Sequence, residues 1–378
     1  MRIHLKNRNC ELTEDFPKNL FALQDILDRL HQSGNRNVLF RFDCDTEKNI
    51  LPPELSGREF QTDLCRLNMF AERLETMTPE ENAAFKAIVK VNAVSDFDEL
   101  LRMTYNLGSV PVIKASCFSE LGAFAVEQEM LPEIQNCPAE LLEYLDATKL
   151  GRLMAERNAG MFIGDYYCEP AKYEKLDIHI EIGNPEPCFF RLLMTEQAEN
   201  IMLAGWNSLP CEESELKEKI CLQWESSLPN LQISLRPEQA EIASLNHLAQ
   251  QLSQLDEQEF VKLKAVMEYE QVQNIAGTVD CIKHLHEYDF DPLPCNQNEF
   301  AKLYLMRNIP VDFPVRLFAD VDMSNFGGEI LHQKQGAVTS YGILSGRNQV
   351  LYAGLTAEPE QAENEDETEE FAVNMGGM

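Results

Sequence analysis

The sequence predicts an α+β protein built from two tandem, related halves and an acidic tail. Each half should have small β-sheet elements near its ends and a helical middle. An internal repeat predicts the two halves, and the spacing of apolar residues predicts their helices and strands. The composition of the last residues predicts the tail.

The repeat is clearest between residues 67–89 (LNMFAERLETMTPEENAAFKAIV) and 245–267 (LNHLAQQLSQLDEQEFVKLKAVM), which lie 178 positions apart. Residues 55–68 match 233–246 at the same offset, and 149–162 match 325–338 at an offset of 176. The starts RIHLKN and DIHIEIGN are also alike. We therefore place repeat 1 at residues 1–173, a diverged repeat 2 at 175–355 and a disordered tail at 356–378.

The repeat preserves helical faces and helix starts. Apolar residues recur at i, i+3, i+4 and i+7 in both copies, at Leu67, Phe70, Ala71, Leu74 and Met77 and at Leu245, Leu248, Ala249, Leu252 and Leu255. Lys86 recurs as Lys264. A second helix should follow each, with capping boxes formed by Thr78 and Glu81 and by Asp256 and Glu259, and with Pro79 at the first helical position.

A third helix and several strands complete each half. Ser95 with Asp98 predicts another helix N-terminus, and this helix should run to about Tyr105. Strand composition with flanking turn residues occurs at 37–44, 160–168, 176–182 and 336–344.

Charge is the most unusual property of the chain. The 378 residues include 63 acidic and 32 basic side chains, a net charge of −31. Residues 1–173 carry −9, residues 174–355 carry −14 and the tail carries −8. Such an excess repels nucleic acid and anionic membranes and attracts basic partners. Direct nucleic-acid binding, which needs a basic patch, is therefore not expected.

The cysteines and the start of the chain favour a cytoplasmic protein. The eleven cysteines are scattered and form no CxxC pair. The first residues, MRIHLKNRNC, precede no apolar run, and no stretch of 18 apolar residues occurs. We expect reduced thiols, without a disulfide framework or a zinc site.

Motifs of catalysis and metal binding give little support for an enzyme. The HLH at 284–286, near Cys281 and Glu287, suggests a metal, but positions two apart do not share a helix face. The DVD at 320–322 corresponds to Asp146-Ala147-Thr148 in repeat 1. Phosphate-binding glycine loops, GxSxG and HExxH do not occur. We expect no catalytic residues, no metal and no cofactor.

Residues 120–167 resemble the C-terminal part of ArdA-type antirestriction proteins. That family has a Pro-containing run similar to PeeLlxYiDyeaxGR, followed by a Gly-Phe strand, and this chain reads PAELLEYLDATKLGR at 138–152. The matching positions are Pro138, Leu141, Tyr144, Leu145, Asp146, Gly151, Arg152, Gly160 and Phe162. Residues 67–89 and 105–113 also resemble the middle region of the family. Repeat 2 keeps Pro310, Asp320, Gly327 and Gly336 but has Gly328 where repeat 1 has Arg152.

The resemblance implies a function without catalysis. ArdA-like proteins are elongated, acidic proteins carried by mobile elements such as conjugative transposons, and they mimic bent B-form DNA. They occupy the DNA-binding groove of type I restriction-modification enzymes in bacteria. Single-repeat members pair as homodimers, so two fused repeats suggest a pseudo-dimer within one chain or half of a longer assembly.

The candidate binding residues are acids that lie off the apolar helix faces. For repeat 1 they are Glu72, Glu75, Glu80, Glu81, Asp96, Asp98, Glu99, Glu140 and Glu143. For repeat 2 they are Glu257, Glu259, Glu268, Glu270, Glu287, Asp289 and Asp291. A solvated surface residue is the simpler interpretation of each acid alone, so the hypothesis concerns their summed field. The alternative function is an acidic adaptor that binds another basic protein of a mobile element without competing with DNA.

Overall fold

A computed structural model describes residues 1–7, 10–31, 36–43, 51–135, 137–138, 141, 144–175, 188–196, 201–308 and 321–353. Across these residues, about 48% helix and 19% strand form 13 α-helices and several small antiparallel sheets, which confirms the α+β prediction. Within the same residues, no helix combines the length and apolar character needed to cross a membrane. The tail at 356–378 and the predicted strand at 176–182 lie outside the described residues.

The first half begins with a four-stranded antiparallel sheet of order β2-β1-β3-β4. Its strands are β1 (Arg2–Asn7), β2 (Cys10–Asp15), β3 (Asn37–Phe42) and β4 (Glu59–Asp63), and helix α1 (Leu20–Arg29) connects β2 to β3. Alternate residues of β1 and β3 point into the core, which is why Phe40 stacks near Phe60 and meets Phe97 edge-on. The strand predicted at 37–44 is confirmed as β3.

The helical middle consists of α2 (Leu64–Thr76), α3 (Pro79–Val91) and α4 (Phe97–Met103). The Thr78 hydroxyl accepts a hydrogen bond from Glu81 N at 3.2 Å, and Glu81 Oε2 accepts one from Thr78 N at 3.0 Å. The predicted capping box is therefore confirmed. The start predicted for the third helix was one residue early. Asp96, not Ser95, is the N-cap, because its carboxylate accepts the hydrogen bond of Glu99 N.

The first half ends in a helix pair beside a small sheet. These elements are β5 (Val112–Lys114), α5 (Phe118–Glu127), α6 (Pro132–Gln135), α7 (Ala147–Arg157), β6 (Met161–Ile163) and β7 (Tyr166–Cys168), with strand order β5-β7-β6. Helices α5 and α7 touch through glycines. A Cβ on Gly122 would overlap the Ala147 carbonyl, and one on Gly151 would overlap the Phe118 carbonyl. The strand structure predicted at 160–168 is confirmed, and it consists of two paired strands, β6 and β7.

The second half repeats this order. A sheet of order β10-β8-β9 contains β8 (Phe190–Thr195), β9 (Gly205–Leu209) and β10 (Ile220–Ser226), with the short helix α8 (Glu213–Leu216) after β9. The helical middle is α9 (Gln239–Leu252), α10 (Glu257–Tyr269) and α11 (Ile275–Lys283). The end contains β11 (Phe290–Asp291), α12 (Gln297–Asn308), α13 (Met323–Gln333), β12 (Ala337–Thr339) and β13 (Gly342–Leu344). The predicted capping box of Asp256 and Glu259 is confirmed.

The recurring Leu-Asn pair has the same structural role in both halves. Asn68 is buried, accepts a hydrogen bond from Lys18 N at 2.7 Å and donates one to Lys18 O at 3.0 Å. Asn246 makes the same two bonds to Cys211, at 3.0 and 2.9 Å. Each asparagine thus ties the helical middle to the segment that follows the second strand of its sheet, which explains why the repeat keeps it.

In repeat 2, the residue equivalent to Asp146 differs from the predicted Asp320. Asp320 lies outside the described residues, and the counterpart of Asp146 is instead Asp322. Asp146 caps α7 through Lys149 N, and Asp322 caps α13 through Ser324 N and Asn325 N. Gly327 approaches the Gln297 carbonyl as Gly151 approaches that of Phe118.

The two halves contact each other through a buried ionic group. Lys264 of α10 places Nζ 2.7 Å from Asp28 Oδ2 and 3.2 Å from Asp25 Oδ1, both on α1. Tyr341 donates a hydrogen bond to Asp25 at 2.8 Å. Burial raises the pKa of Asp28, and the neighbouring Lys264 ammonium opposes that rise.

A disulfide between Cys10 and Cys295 also joins the halves, with the two Cα atoms 5.9 Å apart. The prediction that all thiols are reduced was therefore wrong for this pair. The other eight cysteines in the described part of the chain are free.

Candidate acidic binding surface

Helix α2 separates acids from apolar residues. Leu67, Phe70 and Leu74 are buried, whereas Glu72 and Glu75 are exposed on the other side of the helix. Glu72 accepts a hydrogen bond from Asn68 at 2.8 Å, which fixes its carboxylate next to the asparagine that ties α2 to Lys18. The apolar periodicity of α2 therefore determines which way these charges point.

The N-termini of α3 and α4 hold further exposed carboxylates. Glu80 lies in the first turn of α3 and accepts a hydrogen bond from the Tyr166 hydroxyl at 3.1 Å. Its own backbone N–H and Tyr166 lower the pKa of Glu80, so it is charged at neutral pH. Asp96 caps α4 and is also exposed. Carboxylates at these positions are stabilised by the positive end of the helix dipole.

Three other predicted acids of the first half form ion pairs with nearby cations. Glu81 lies 2.6 Å from Arg73, Asp98 lies 2.7 Å from Arg66 and Glu99 lies 2.5 Å from Lys175. Hydrogen bonds from Lys175 and the Ser95 backbone lower the pKa of Glu99 to about 2. The cationic partners cancel much of the outward field of these acids. Glu140 and Glu143 lie outside the described residues.

In the second half, Glu257 and Glu259 are exposed in the first turn of α10. Glu268 accepts hydrogen bonds from Ser340 N at 3.0 and 3.2 Å. Arg347 lies 3.8 Å from Glu270 and 4.0 Å from Glu287, and Glu270 also accepts a hydrogen bond from the Tyr288 hydroxyl. The first turn of α10 therefore has the least compensated of these charges.

The last two predicted acids have structural roles. Asp289 accepts hydrogen bonds from Phe290 N and Leu351 N, both at 3.0 Å. Asp291 is only 7% exposed. It accepts hydrogen bonds from Tyr352 at 2.6 Å and Leu293 N at 2.9 Å, and it lies 3.5 Å from Arg307. The prediction of Asp291 as a surface acid was therefore wrong, because its carboxylate is buried and its oxygens bind groups within the fold.

The family motif divides into packing residues and exposed residues. Gly151 allows α5 and α7 to touch, Asp146 caps α7, and Gly160 lies against the Tyr167 ring, where a Cβ would overlap it. Arg152 lies over the Phe118 ring at 5.5 Å, and repeat 2 replaces this pair with Gly328 beside Gln297.

Three motif residues, by contrast, face the solvent. Leu141 is 53% exposed, Tyr144 is 83% exposed, and Pro138 is also exposed. Large apolar side chains in these positions do not stabilise the fold by burial, so their surface is available to a partner.

The candidate list also omitted an acidic group in the second half. Four exposed acids surround helix α8, and no ion pair involves them among the described residues: Glu212, Glu213, Glu215 and Glu218. A signal was present, because four acids occur within seven consecutive positions. Helical periodicity does not reveal this group, since α8 has only four residues.

The described surface is acidic as a whole, because exposed acidic side chains outnumber exposed basic ones by almost two to one. Carboxylates held by caps and helices can accept hydrogen bonds and ion pairs from lysine and arginine. Neither the protein-family models nor the curated proteins include a match to this sequence.

Proposed function

We propose that this chain is a non-enzymatic antirestriction protein of the ArdA type, which acts as an acidic mimic of DNA. It occupies the basic DNA-binding groove of a bacterial type I restriction-modification enzyme and blocks the binding of DNA there. Restriction is lost as a consequence, and modification with it where both use the same groove. The proposal places the protein in the bacterial cytoplasm and assigns it no direct contact with nucleic acid.

The single observation that carries the proposal is the placement of uncompensated carboxylates on rigid elements. Glu72, Glu75 and Glu80 project from helices whose apolar faces are buried, and Glu257 and Glu259 do so in the other half. Since the helices are already ordered, little conformational entropy is lost when a partner binds these acids.

The amount of charge also suits a mimic. Residues 1–355 carry −23, and B-DNA carries one charge per ~1.7 Å of its axis, so the same charge belongs to roughly 40 Å of duplex. That length is about a dozen base pairs, similar to what an enzyme groove covers. The carboxylates would then pair with the lysine and arginine side chains that otherwise hold phosphates.

A second candidate function is an acidic adaptor that binds another basic protein of a mobile element at a surface that does not bind DNA. The exposed Leu141 and Tyr144 favour it, because duplex DNA offers a partner no equivalent apolar side chains. An adaptor would use these residues together with nearby acids.

A competition titration separates the two functions. Labelled duplex containing the recognition site is bound to a type I methyltransferase, and the full-length protein is added over a series of salt concentrations. A mimic displaces the duplex at low salt and becomes steeply less effective as salt rises. An adaptor binds the partner without displacing DNA, and failure to displace DNA at low salt would remove the mimic proposal for that enzyme.

A matched pair of variants tests the placement of charge. Glu72→Gln, Glu75→Gln and Glu80→Gln are combined in one protein, and Glu363→Gln, Glu365→Gln and Glu367→Gln in another. Both change the net charge by the same amount. The proposal expects the first protein to lose displacement of DNA by at least tenfold more than the second. Equal losses would show that net charge alone matters.

A further inference from the structure

Three side chains with metal-binding atoms meet where the two halves touch. Cys10 begins β2, His31 follows the end of α1, and Cys295 precedes α12. The two sulfur atoms and a ring nitrogen of His31 all lie within 4.8 Å of one another. The cysteines are 285 positions apart, so only the contact between the halves brings the group together.

The His31 ring has one nitrogen that is available to a ligand. Its Nδ1 is buried and has no hydrogen-bond partner among the described residues. The backbone N–H of His31 donates to Asp28 O at 3.1 Å, which holds the residue at the end of α1. A buried polar atom without a partner carries an energetic cost. A ligand bound at the ring would remove that cost.

The group opens onto a cavity of about 310 Å³ that can admit an ion and its remaining ligand. Glu299 lines the same cavity, and its Oε2 accepts a hydrogen bond from Cys295 N at 3.0 Å. The carboxylate is therefore attached to the loop that carries one of the sulfur atoms. Asn7 and Lys302 supply the other polar side chains of the wall.

We propose that Cys10, Cys295 and His31 bind a zinc ion that joins the two halves of the reduced chain. Two thiolates and an imidazole form a donor set that zinc prefers, with the fourth position open to Glu299 or water. Zinc–sulfur bonds of about 2.3 Å and zinc–nitrogen bonds of about 2.0 Å place the ligand atoms of a tetrahedral site roughly 3.5 Å apart. The observed cluster is compact enough to reach this geometry through small side-chain movements.

The zinc form and the disulfide form exclude each other. A dithiol or phosphine reductant supplies two electrons to the Cys10–Cys295 bond, two protons are taken up, and two thiols result. Zinc then displaces one proton from each thiol and forms two zinc–sulfur bonds. In both forms a covalent or coordinate link connects β2 of the first half to the loop before α12.

Cobalt(II) provides a direct test with the full-length protein. The protein is reduced with a phosphine under anaerobic conditions and titrated with Co²⁺, which absorbs characteristically when tetrahedral and bound to thiolate. We expect these bands to reach a maximum at one equivalent and to disappear when Zn²⁺ is added. Cys10→Ser and Cys295→Ser should abolish them, whereas Cys117→Ser and Cys281→Ser, which alter free thiols elsewhere, should leave them unchanged.

His31→Asn keeps both thiols and decides whether the imidazole is a ligand. We expect at least a tenfold loss of Zn²⁺ affinity, measured by competition with a chromogenic chelator, while circular dichroism shows that the variant remains folded. The proposal fails if reduced wild-type protein shows no more cobalt–thiolate absorption than Cys10→Ser. It also fails if His31→Asn binds Zn²⁺ as tightly as the wild type.

Discussion

The Lys264 ammonium lies 2.7 Å from the Asp28 carboxylate, although 236 positions separate the two residues. Both side chains are almost fully buried, at 1% and 2% exposure. Removing one member of such a pair leaves an uncompensated buried charge. We expect Lys264→Met to lower the free energy of unfolding by about 3–5 kcal/mol, as measured by urea denaturation.

The double variant Lys264→Met with Asp28→Leu is the matching control. Because it removes both buried charges, its unfolding free energy should recover part of the loss. If the loss of unfolding free energy in the double variant equalled the sum of the losses in the two single variants, the two residues would act independently.

Glu99 should contribute to stability in a defined pH range. Its pKa is lowered from 4.5 to about 2 by Lys175 and the Ser95 backbone. A lowered pKa means that the unfolded chain binds the proton more readily. The contribution is therefore complete above the unfolded pKa and is lost as pH falls from about 4.5 towards 2.

Urea denaturation at several pH values tests this sign. Glu99→Gln should show a smaller fall in unfolding free energy below pH 5 than the wild type. Glu75→Gln changes an exposed acid of α2 and should follow the wild-type curve. Equal slopes for all three proteins would contradict the assigned role of Glu99.

The shared asparagine contact predicts matched effects in the two halves. Asn68→Ala removes the side-chain amide that binds the backbone N–H and C=O of Lys18, and Asn246→Ala removes the one that binds those of Cys211. Each should cost about 1–3 kcal/mol in thermal or urea unfolding. Asn298→Ala, at an exposed position of α12, should cost far less. A large effect in one half only would argue against equivalent roles.

Gly151 should be required for folding rather than for contact with a partner. Gly151→Ala would force the new Cβ against the Phe118 carbonyl, so α5 and α7 would have to separate. We expect a loss of about 1–3 kcal/mol and a lower melting temperature. Gly108→Ala meets open space and is the control. If Gly151→Ala abolished binding at unchanged stability, this assignment would be wrong.

Local signals predicted the helical middle well. The apolar periodicity of 67–89 and the helix N-terminus at Thr78-Pro79 involve residues close together in the chain. The structure that they predict therefore does not depend on distant contacts. The exposed direction of Glu72 and Glu75 follows from the same pattern. The error at Ser95 is of one residue, because Asp96 and Glu99 have the same spacing as Ser95 and Asp98 and stand one position later.

Tertiary contacts account for what the sequence did not predict. Asp291 looked like any other surface acid until Tyr352 and Arg307 were placed beside it. Glu99 and Lys175 are 76 positions apart, so their pairing has no local signature. The grouping of Cys10, His31 and Cys295 depends on the contact between the halves, and spacing rules for zinc sites detect only ligands near each other in the chain.

The contact at Lys264 also distinguishes the two repeats. In repeat 2, Lys264 meets α1 of repeat 1, whereas its counterpart Lys86 lines a cavity of about 470 Å³ whose other walls all come from repeat 1. A two-fold pseudo-dimer would bring Lys86 against α8, the helix that follows β9 as α1 follows β2. Lys264 and its counterpart Lys86 therefore lie in different surroundings, and the two repeats are not equivalent at these positions. A partner that binds both repeats would therefore meet a different local structure at Lys264 from the one at Lys86.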